Sequence, residues 1–408
     1  MKNKSLLIIG LVWAEPESSA AGIRILQLIE LFQAQGYTIV FASAAQEGMF
    51  SFDLNTIGVA SQKISLNSTT FDTFIQELNP EIVLFDRFVT EEQFGWRVYE
   101  NCPNALRILD TEDLHCLRLT RQNAVKKNLA FCTSDLLTSE IAKREIASIL
   151  RCDLSLIISE FEMQIVSDVF KIDSQLLHYL PLFYAPEDTI PLDFKERKDF
   201  VFIGNFLHEP NWDAVKQLKE RIWPHIRKQL PEANMNIYGA YPSQKVLQLN
   251  NPKEHFFIHG RVANAHEVIQ KARIMLAPIR FGAGLKGKLL VAMQLGTPSV
   301  TTTIGAEGIK AAYDWNGFIE DDLEIFIAQS VRLYQNENIW NQAQKNGFEI
   351  LKNRFNTAHF ADMFYDKIAT TLLNIKNHRT QNFIGSLLLH HTTLSTKYMS
   401  KWIEEKNK

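Results

Sequence analysis

The chain has 408 residues, of which 46% are hydrophobic and 22% are charged, and its net charge is −3 at pH 7. This composition is typical of a folded globular protein and excludes a disordered or collagen-like chain. The length predicts more than one domain, and the slightly acidic balance predicts no nucleic-acid partner. No apolar run reaches the ~20 residues of a membrane helix, and no signal cleavage site follows the N-terminal apolar run. We therefore expect a cytoplasmic protein.

Four cysteines, Cys102, Cys116, Cys132 and Cys152, lie far apart in the first half of the chain. Their spacing matches neither a zinc motif nor a redox motif. We predict buried thiols in a reducing compartment.

Short apolar runs alternate with helical patterns from the N-terminus onward. Continuous Val/Ile/Leu runs predict strands buried on both faces, and the helices between them predict parallel crossovers. We therefore predict a doubly wound, Rossmann-like α/β domain over residues 1–180. Its predicted strands are Leu6–Val12, Thr38–Ser43, Ile82–Phe85, Leu106–Leu109 and Leu154–Ser159.

Residues 181–199 interrupt this pattern with three prolines and a run of charged residues, which predicts a linker. The alternation then restarts and predicts a second Rossmann-like domain over residues 200–355. Two such domains place a ligand cleft between them, at the carboxyl ends of both sets of strands. The predicted strands are Phe200–Ile203, Met235–Tyr238, Phe256–His259, Ile274–Ala277 and Ser299–Thr302.

Residues 356–408 have a helical pattern and are predicted to pack back on the body. Leu394, Tyr398 and Trp402 recur at i, i+4 and i+8, and the segment from Lys376 onward carries six basic and two acidic residues. Two interpretations stay open. The apolar stripe packs on the body, or the basic helix lies at a membrane surface and makes the protein peripheral.

The stretch Ala277–Met293 joins a predicted strand to a predicted helix through a glycine-rich turn. Glycines allow a close approach of the backbone to a ligand, and a helix N-terminus presents free N–H groups to an anion. Three cations, Arg280, Lys286 and Lys288, lie in the same stretch. The pattern predicts a phosphate or diphosphate site.

The same glycines, Gly282, Gly284 and Gly287, also spell G-x-G-x-x-G, and Glu307 follows about 20 residues later, as in dinucleotide sites. That fingerprint normally opens the first βα unit of its domain, whereas this one comes late in the second domain. A nicotinamide or flavin site is therefore the alternative.

This stretch, together with Gly296–Thr302 and Gly305–Gly308, resembles the nucleotide-sugar-binding signature of GT-B glycosyltransferases, in the large and mostly retaining group 1. The resemblance extends over about residues 140–355 and is weaker toward the N-terminus. It implies a GT-B fold and retaining transfer of a sugar from a nucleotide-diphosphate sugar to a glycan, lipid or protein acceptor, with no cofactor. The implied donor-binding residues are Gly204, Asn205, Arg280, Gly282, Gly284, Leu285, Lys286, Lys288, Thr302 and Glu307.

The chain departs from the family at Val291, where a glutamate commonly holds the ribose hydroxyls, and the earlier glutamate of the paired motif is also missing. A valine cannot accept a hydrogen bond. A non-catalytic nucleotide-sugar binding or scaffold protein is therefore an alternative, and a sugar-nucleotide epimerase is a further one. The sequence contains no D-x-D pair, and we predict no required metal.

Two loops of the first domain carry candidate residues. Ser18, Ser19 and Gly22 resemble the family's acceptor-side loop, although a serine there equally suits a helix N-cap. Glu112, Asp113 and His115 follow a predicted strand, and we expect them to be catalytic: the acids bind sugar hydroxyls and His115 shuttles a proton near neutrality. Helix capping is the alternative for these acids.

Overall fold

The computed structural model describes residues 4–186 and 191–407, with only the backbone of residues 391–394. Two parallel sheets form its framework. The first sheet has the order β3-β2-β1-β4-β5-β6-β7, and the second has the order β10-β9-β8-β11-β12-β13. The strands are β1 (Ser5–Gly10), β2 (Thr38–Ser43), β3 (Ala60–Lys63), β4 (Ile82–Asp86), β5 (Leu106–Asp110), β6 (Leu154–Ile157), β7 (Leu177–Tyr179), β8 (Lys198–Ile203), β9 (Met235–Tyr238), β10 (Phe256–Gly260), β11 (Ala272–Ala277), β12 (Ser299–Thr301) and β13 (Gly317–Ile319).

Helices connect the strands and flank both sheets, and the last five come after β13, the final strand. Π-helical turns at Ile165–Val169 and Leu218–Ile222 extend two of these helices. The α-helices are α1 (Ala20–Ala34), α2 (Thr70–Leu78), α3 (Arg87–Asn101), α4 (His115–Lys126), α5 (Glu140–Arg151), α6 (Glu160–Gln164), α7 (Glu209–Gln217), α8 (Trp223–Gln229), α9 (Gln244–Leu247), α10 (Ala265–Lys271), α11 (Gly287–Gln294), α12 (Thr303–Ala306), α13 (Leu323–Gln335), α14 (Glu337–Arg354), α15 (Thr357–Leu373), α16 (Ile375–Gln381) and α17 (Phe383–Lys406).

The strand order reverses between β1 and β4 in the first sheet, and between β8 and β11 in the second. Chains leave such neighbouring strands toward opposite faces, so a crevice forms at their carboxyl ends. The loops after these four strands are therefore the ones placed to build a site.

The predicted α/β fold with two Rossmann-like sheets is confirmed, and each of the ten predicted strands has a counterpart. Three strands were not predicted: β3, β7 and β13. Each lies at the edge of a sheet, and β3 consists of four exposed residues, Ala60–Lys63. Of the predicted linker, residues 187–190 lie outside the described residues, and Leu182–Tyr184 are buried.

The C-terminal helices return to the first sheet. Phe360, Phe364 and Ile368 of α15 belong to the hydrophobic core of the first domain. Arg379 of α16 forms an ion pair with Asp153 at 2.7 Å, and α17 contacts α5 and α3.

The expected packing of the α17 stripe is wrong for two of its residues. Tyr398 and Trp402 are 65% and 59% exposed, whereas Gly385, Leu389 and Ser400 are the buried residues among the described side chains of this helix. The side chain of Leu394 lies outside the described residues. Within the described chain, no helix is both long and apolar enough to cross a membrane.

The expectation of buried thiols needs one correction. Cys102, Cys116 and Cys152 are buried, but Cys132 is exposed, and all four are free thiols. Cys132 follows α4 in an irregular segment that packs little against the body, which explains its exposure.

Candidate functional site

A cavity of about 1150 Å³ lies between the two sheets, at the carboxyl ends of their strands. Its walls come from the loops after β1, β4 and β5 on one side, and from the loops after β8, β9 and β11 on the other. It is large enough for a small-molecule ligand, for which clefts of about 300–1,000 Å³ are typical. The topology therefore brings the glycine-rich turn and the acidic loop to one place.

The glycine-rich turn lies against the first domain. Gly284 has φ +61°, and a Cβ added there would lie 2.9 Å from Cβ of Asp113. A Cβ added at Gly287 would lie 3.0 Å from Cβ of Ala20. The missing side chains thus allow the two domains to approach each other, in addition to leaving the backbone open to a ligand.

Two lysines line the cavity beside this turn: Lys286 is buried, and Lys288 is half-buried. Lys286 Nζ donates to the Gly284 carbonyl at 3.0 Å, and Lys288 Nζ donates to Asn211 and lies 4.1 Å from the centre of the Phe202 ring. Burial lowers the pKa of both ammonium groups, that of Lys288 to about 7. An anion placed here would meet ammonium groups that have little water around them, where charge interactions are strong.

Seven of the ten predicted donor residues line the cavity: Gly204, Asn205, Gly282, Gly284, Leu285, Lys286 and Lys288. Three other predicted donor residues do not. Arg280 forms an ion pair with Asp213 at the surface. Thr302 caps α12 by accepting from Gly305 N at 3.0 Å, and Glu307 forms an ion pair with Arg121 at 2.9 Å. The ion pairs of Arg280 and Glu307 and the capping bond of Thr302 engage these side chains outside the cavity.

The acidic loop after β5 brings Glu112, Asp113 and His115 to the opposite wall. Asp113 binds Arg118 at 2.7 Å and His115 at 3.3 Å. Burial opposes ionisation of Asp113, but these two partners outweigh it and hold its pKa below the usual range. Asp113 is therefore a charged, fully partnered carboxylate.

The proton-shuttle role expected for His115 does not agree with its surroundings. Burial lowers its pKa to about 4, against the attraction of Asp113. The His115 imidazole is neutral at pH 7, so it does not donate a proton readily there.

Glu112 and Arg87 have strained backbones at the ends of adjacent strands. Their φ angles are +61° and +70°, in the left-handed region that non-glycine residues rarely adopt. Burial and Asp110 raise the pKa of Glu112 well above its usual value. Glu112 Oε1 is buried and accepts no hydrogen bond from any described residue, whereas Asp86 Oδ1 forms an ion pair with Arg87 Nε at 3.4 Å. The Glu112 oxygen is therefore available to a hydroxyl group of a ligand in the cavity.

The loop after β1 completes the first-domain wall, and Ser18, Ser19 and Gly22 all line the cavity. Ser19 caps α1 by accepting from Gly22 N at 3.0 Å, which is the structural alternative considered from the sequence. Ser18 Oγ is buried and finds no partner within the described structure. Of the two serines, Ser18 is the one with a free hydroxyl.

Several residues of the site had no sequence signal. Glu15 accepts from the Tyr241 hydroxyl at 2.9 Å, and Glu17 pairs with Arg261, so both bonds connect the two domains at the cavity mouth. Arg121 and Glu162 also reach the second domain. These residues lie outside any glycine-rich or acidic motif, and only the packing of the domains brings them together.

No metal site is visible in the described ranges, 4–186 and 191–407, where no three His, Cys, Asp or Glu side chains form a group that could hold an ion.

Residues 197–336 match the family model described as Glycosyl transferases group 1. No curated protein matches the chain. Among solved structures, it is similar to sucrose-phosphate synthase from Thermosynechococcus elongatus, with 13% identity, a TM-score of 0.65, and 91% of this chain and 99% of that one covered.

It is also similar to Anabaena HepE in complex with UDP and glucose, with 11% identity, a TM-score of 0.66 and coverages of 90% and 100%. A third similar structure is WaaG, a glycosyltransferase involved in lipopolysaccharide biosynthesis, with 11% identity, a TM-score of 0.63 and coverages of 88% and 98%. The shared fold confirms the predicted GT-B fold, and the family match over residues 197–336 agrees with the predicted group 1 glycosyl transferase domain.

Proposed function

We propose that this chain, an enzyme with a group 1 glycosyl transferase domain in a GT-B fold, transfers a sugar from a nucleotide-diphosphate sugar to a hydroxyl of its acceptor. The observation that carries the proposal is the convergence of the glycine-rich turn, Lys286 and Lys288 on the interdomain cavity. HepE has been solved with UDP-glucose, which makes uridine nucleotides the first donors to test. The acceptor class, glycan, lipid or protein, stays open.

We propose further that the transfer needs no metal and no cofactor. In group transfer from a nucleotide sugar, negative charge develops on the leaving diphosphate and must be stabilised. Lys286 and Lys288 supply positive charge beside the start of α11, whose backbone N–H groups add to it. Retention of the anomeric configuration is proposed on the family resemblance alone.

On the first-domain wall, we assign sugar binding to Glu112 and positioning to Asp113. The unpartnered Oε1 of Glu112 can accept a hydrogen bond from a sugar hydroxyl, either of the donor or of the acceptor. Both carboxylate oxygens of Asp113 are engaged by Arg118 and His115, so its charge instead fixes the orientation of these two side chains.

A non-catalytic nucleotide-sugar binding protein is the second candidate. Val291 lines the cavity where the family commonly has the ribose-binding glutamate. An incubation with UDP-, GDP- and ADP-sugars separates the candidates. Release of free nucleotide diphosphate supports the transferase, tight binding without release supports the binding protein, and interconverted sugar nucleotides support an epimerase.

The diphosphate site has its own test in Lys286→Ala. A charge-assisted hydrogen bond is worth about 1.5–3 kcal/mol, so UDP binding should weaken roughly 10- to 150-fold. Uridine has no diphosphate, and its binding should change much less. Lys271→Ala, which removes a surface lysine paired with Glu267, serves as the control. A wild-type protein that binds NAD tightly and does not prefer UDP over uridine would instead support the dinucleotide alternative.

We also propose that α17 contacts an anionic membrane surface. The exposed Tyr398 and Trp402 lie beside the exposed Lys401, and Lys406 Nζ lies 5.2 Å from the centre of the Trp402 ring. Aromatic and basic side chains on one exposed helix face suit the boundary between anionic headgroups and acyl chains.

A further inference from the structure

The glycine-rich turn of the second domain is hydrogen-bonded at Gly282 and Gly284 by side chains of the first domain. Arg121 Nη1 donates to the Gly282 carbonyl at 2.9 Å. The Gly284 amide donates to Glu162 Oε1 at 2.8 Å. Arg121 and Glu162 are 6% and 1% exposed, so water competes little for either bond. The conformation of the turn thus depends on residues from the opposite side of the cleft.

Glu162 connects the turn to the acidic loop through a single oxygen atom. The same Oε1 that accepts from Gly284 also accepts from the Leu114 amide at 2.9 Å. Leu114 directly follows Asp113, so one side chain of α6 fixes the separation between the two walls of the cavity. Burial, followed by the charge of Asp113, raises the pKa of Glu162 to about 8. Its Oε1 accepts both bonds whether or not Oε2 carries a proton.

Arg121 reaches the turn from α4 and is held in place by three other groups. Its Nη2 donates to Glu307 Oε2 at 2.9 Å, which makes Glu307 the partner that orients the guanidinium. The rings of Phe131 and Phe161 lie 5.1 Å and 5.2 Å from its central carbon. These contacts leave the guanidinium little freedom, so Nη1 stays directed at the Gly282 carbonyl.

We infer that Arg121 and Glu162 are positioning residues that hold the Gly282–Gly284 turn in the conformation that binds a nucleotide diphosphate. The inference rests on the proposed function of the turn. Backbone groups that bind an anion are effective only when they are fixed before the ligand arrives. Without the two side chains, the turn has to be ordered by the ligand, and the diphosphate contribution to affinity falls. The nucleoside contribution comes from elsewhere in the cavity and stays.

The test compares UDP and uridine binding by calorimetry in Glu162→Ala, Glu162→Gln and Arg121→Met. We expect UDP binding to weaken at least tenfold in Glu162→Ala and Arg121→Met, with uridine binding changed less than twofold. Glu162→Gln keeps a carbonyl oxygen that can accept both amide bonds, so its UDP affinity should stay within twofold of the wild type. If Arg121 and Glu162 only stabilised the fold, the variants would weaken UDP and uridine binding to the same extent.

The matched control is Glu160→Ala. Glu160 forms an interdomain ion pair with Arg354, and this pair does not touch the turn. If Arg121→Met fails to fold, Arg121→Lys is the second variant. It keeps the charge and most of the aliphatic side chain but loses the planar guanidinium, and we again expect weaker binding of UDP alone. Three results would each overturn the inference. They are equal losses of UDP and uridine affinity, no loss of UDP affinity in Glu162→Ala and Arg121→Met, and the same loss of UDP affinity in Glu160→Ala. A wild-type protein that binds UDP no more tightly than uridine would instead contradict the proposed function, and therefore this inference as well.

Discussion

Glu112 and Arg87 hold left-handed backbone angles directly beside the cavity, at the ends of β5 and β4. A left-handed non-glycine residue costs about 1–2 kcal/mol, and such strain is concentrated at functional sites. We therefore expect the Glu112 side chain to have a functional role that offsets the energetic cost of its strained backbone. Glycine at this position would relieve the strain and remove the carboxylate.

Glu112→Gly should therefore raise the free energy of unfolding by about 1 kcal/mol while lowering sugar transfer roughly tenfold, through the lost hydrogen bond to the sugar. Denaturant unfolding and nucleotide release measure the two effects. Lys171→Gly is the control, because Lys171 has φ +57° on the exposed surface. It should stabilise the protein similarly and leave transfer unchanged. Full activity in Glu112→Gly would contradict a role for this carboxylate.

Lys288 makes donor binding dependent on pH. Because burial lowers its pKa to about 7, the ammonium is charged below this pH and mostly neutral above it. The affinity for UDP-glucose, whose diphosphate does not titrate in this range, should fall roughly tenfold as the pH rises from 6 to 8.5. Lys288→Met should bind weakly throughout and lose most of this dependence, whereas Lys216→Met on the surface of α7 should behave as the wild type. An affinity that rises with pH would contradict the assignment.

At the scale of single elements, the buried strands could be predicted because their sequences are continuous apolar runs. Ile82–Phe85 and Ile274–Ala277 are examples, and both lie inside their sheets. Three of the four edge strands, β3, β7 and β13, could not be predicted in this way. Ala60–Lys63 is polar and exposed and becomes a strand only because β2 supplies hydrogen-bond partners. The predicted packing of the apolar stripe of α17 was wrong for a related reason. Periodicity identifies an apolar face of a helix, but it does not show which surface covers that face.

The exposed face of α17 gives a prediction about membranes. Replacing Tyr398 and Trp402 together by serine should leave the thermal unfolding midpoint unchanged and reduce sedimentation with phosphatidylglycerol vesicles. Leu389→Ala, at a buried position of the same helix, should lower the free energy of unfolding by about 2–3 kcal/mol and keep vesicle binding. A wild type that does not sediment with these vesicles would contradict the proposed contact.

At the scale of the whole molecule, polar bonds across the cavity mouth connect the domains. Glu15 with Tyr241 and Glu17 with Arg261 join loops from opposite sheets. Interdomain contacts of this polar kind generally permit relative motion, and ligands commonly close such clefts. Sequence patterns predict single helices and strands. These interdomain pairs, like the contacts of Arg121 and Glu162, therefore could not be predicted from the sequence, because they depend on how the two domains pack.

Tyr241→Phe combined with Arg261→Gln should shift the free protein toward a more open arrangement. We expect small-angle X-ray scattering to give a larger radius of gyration, which UDP reduces toward the wild-type value. Arg144→Gln removes an ion pair with Glu92 inside the first domain and should leave the scattering unchanged. Identical scattering curves for the double variant and the wild type, with and without UDP, would count against closure at this mouth.

The narrow contact at Gly284 and Gly287 limits how freely the two halves of this enzyme can be exchanged with those of relatives. A chimaera that joins this second domain to a foreign first domain would need a residue no bulkier than Ala20 opposite Gly287, and room for Gly284 beside the acidic loop. Without such a surface, the grafted halves would be held apart by a few tenths of an ångström or more at the glycine-rich turn. Engineering of donor preference by domain exchange should therefore move the cleft-facing residues of both halves together.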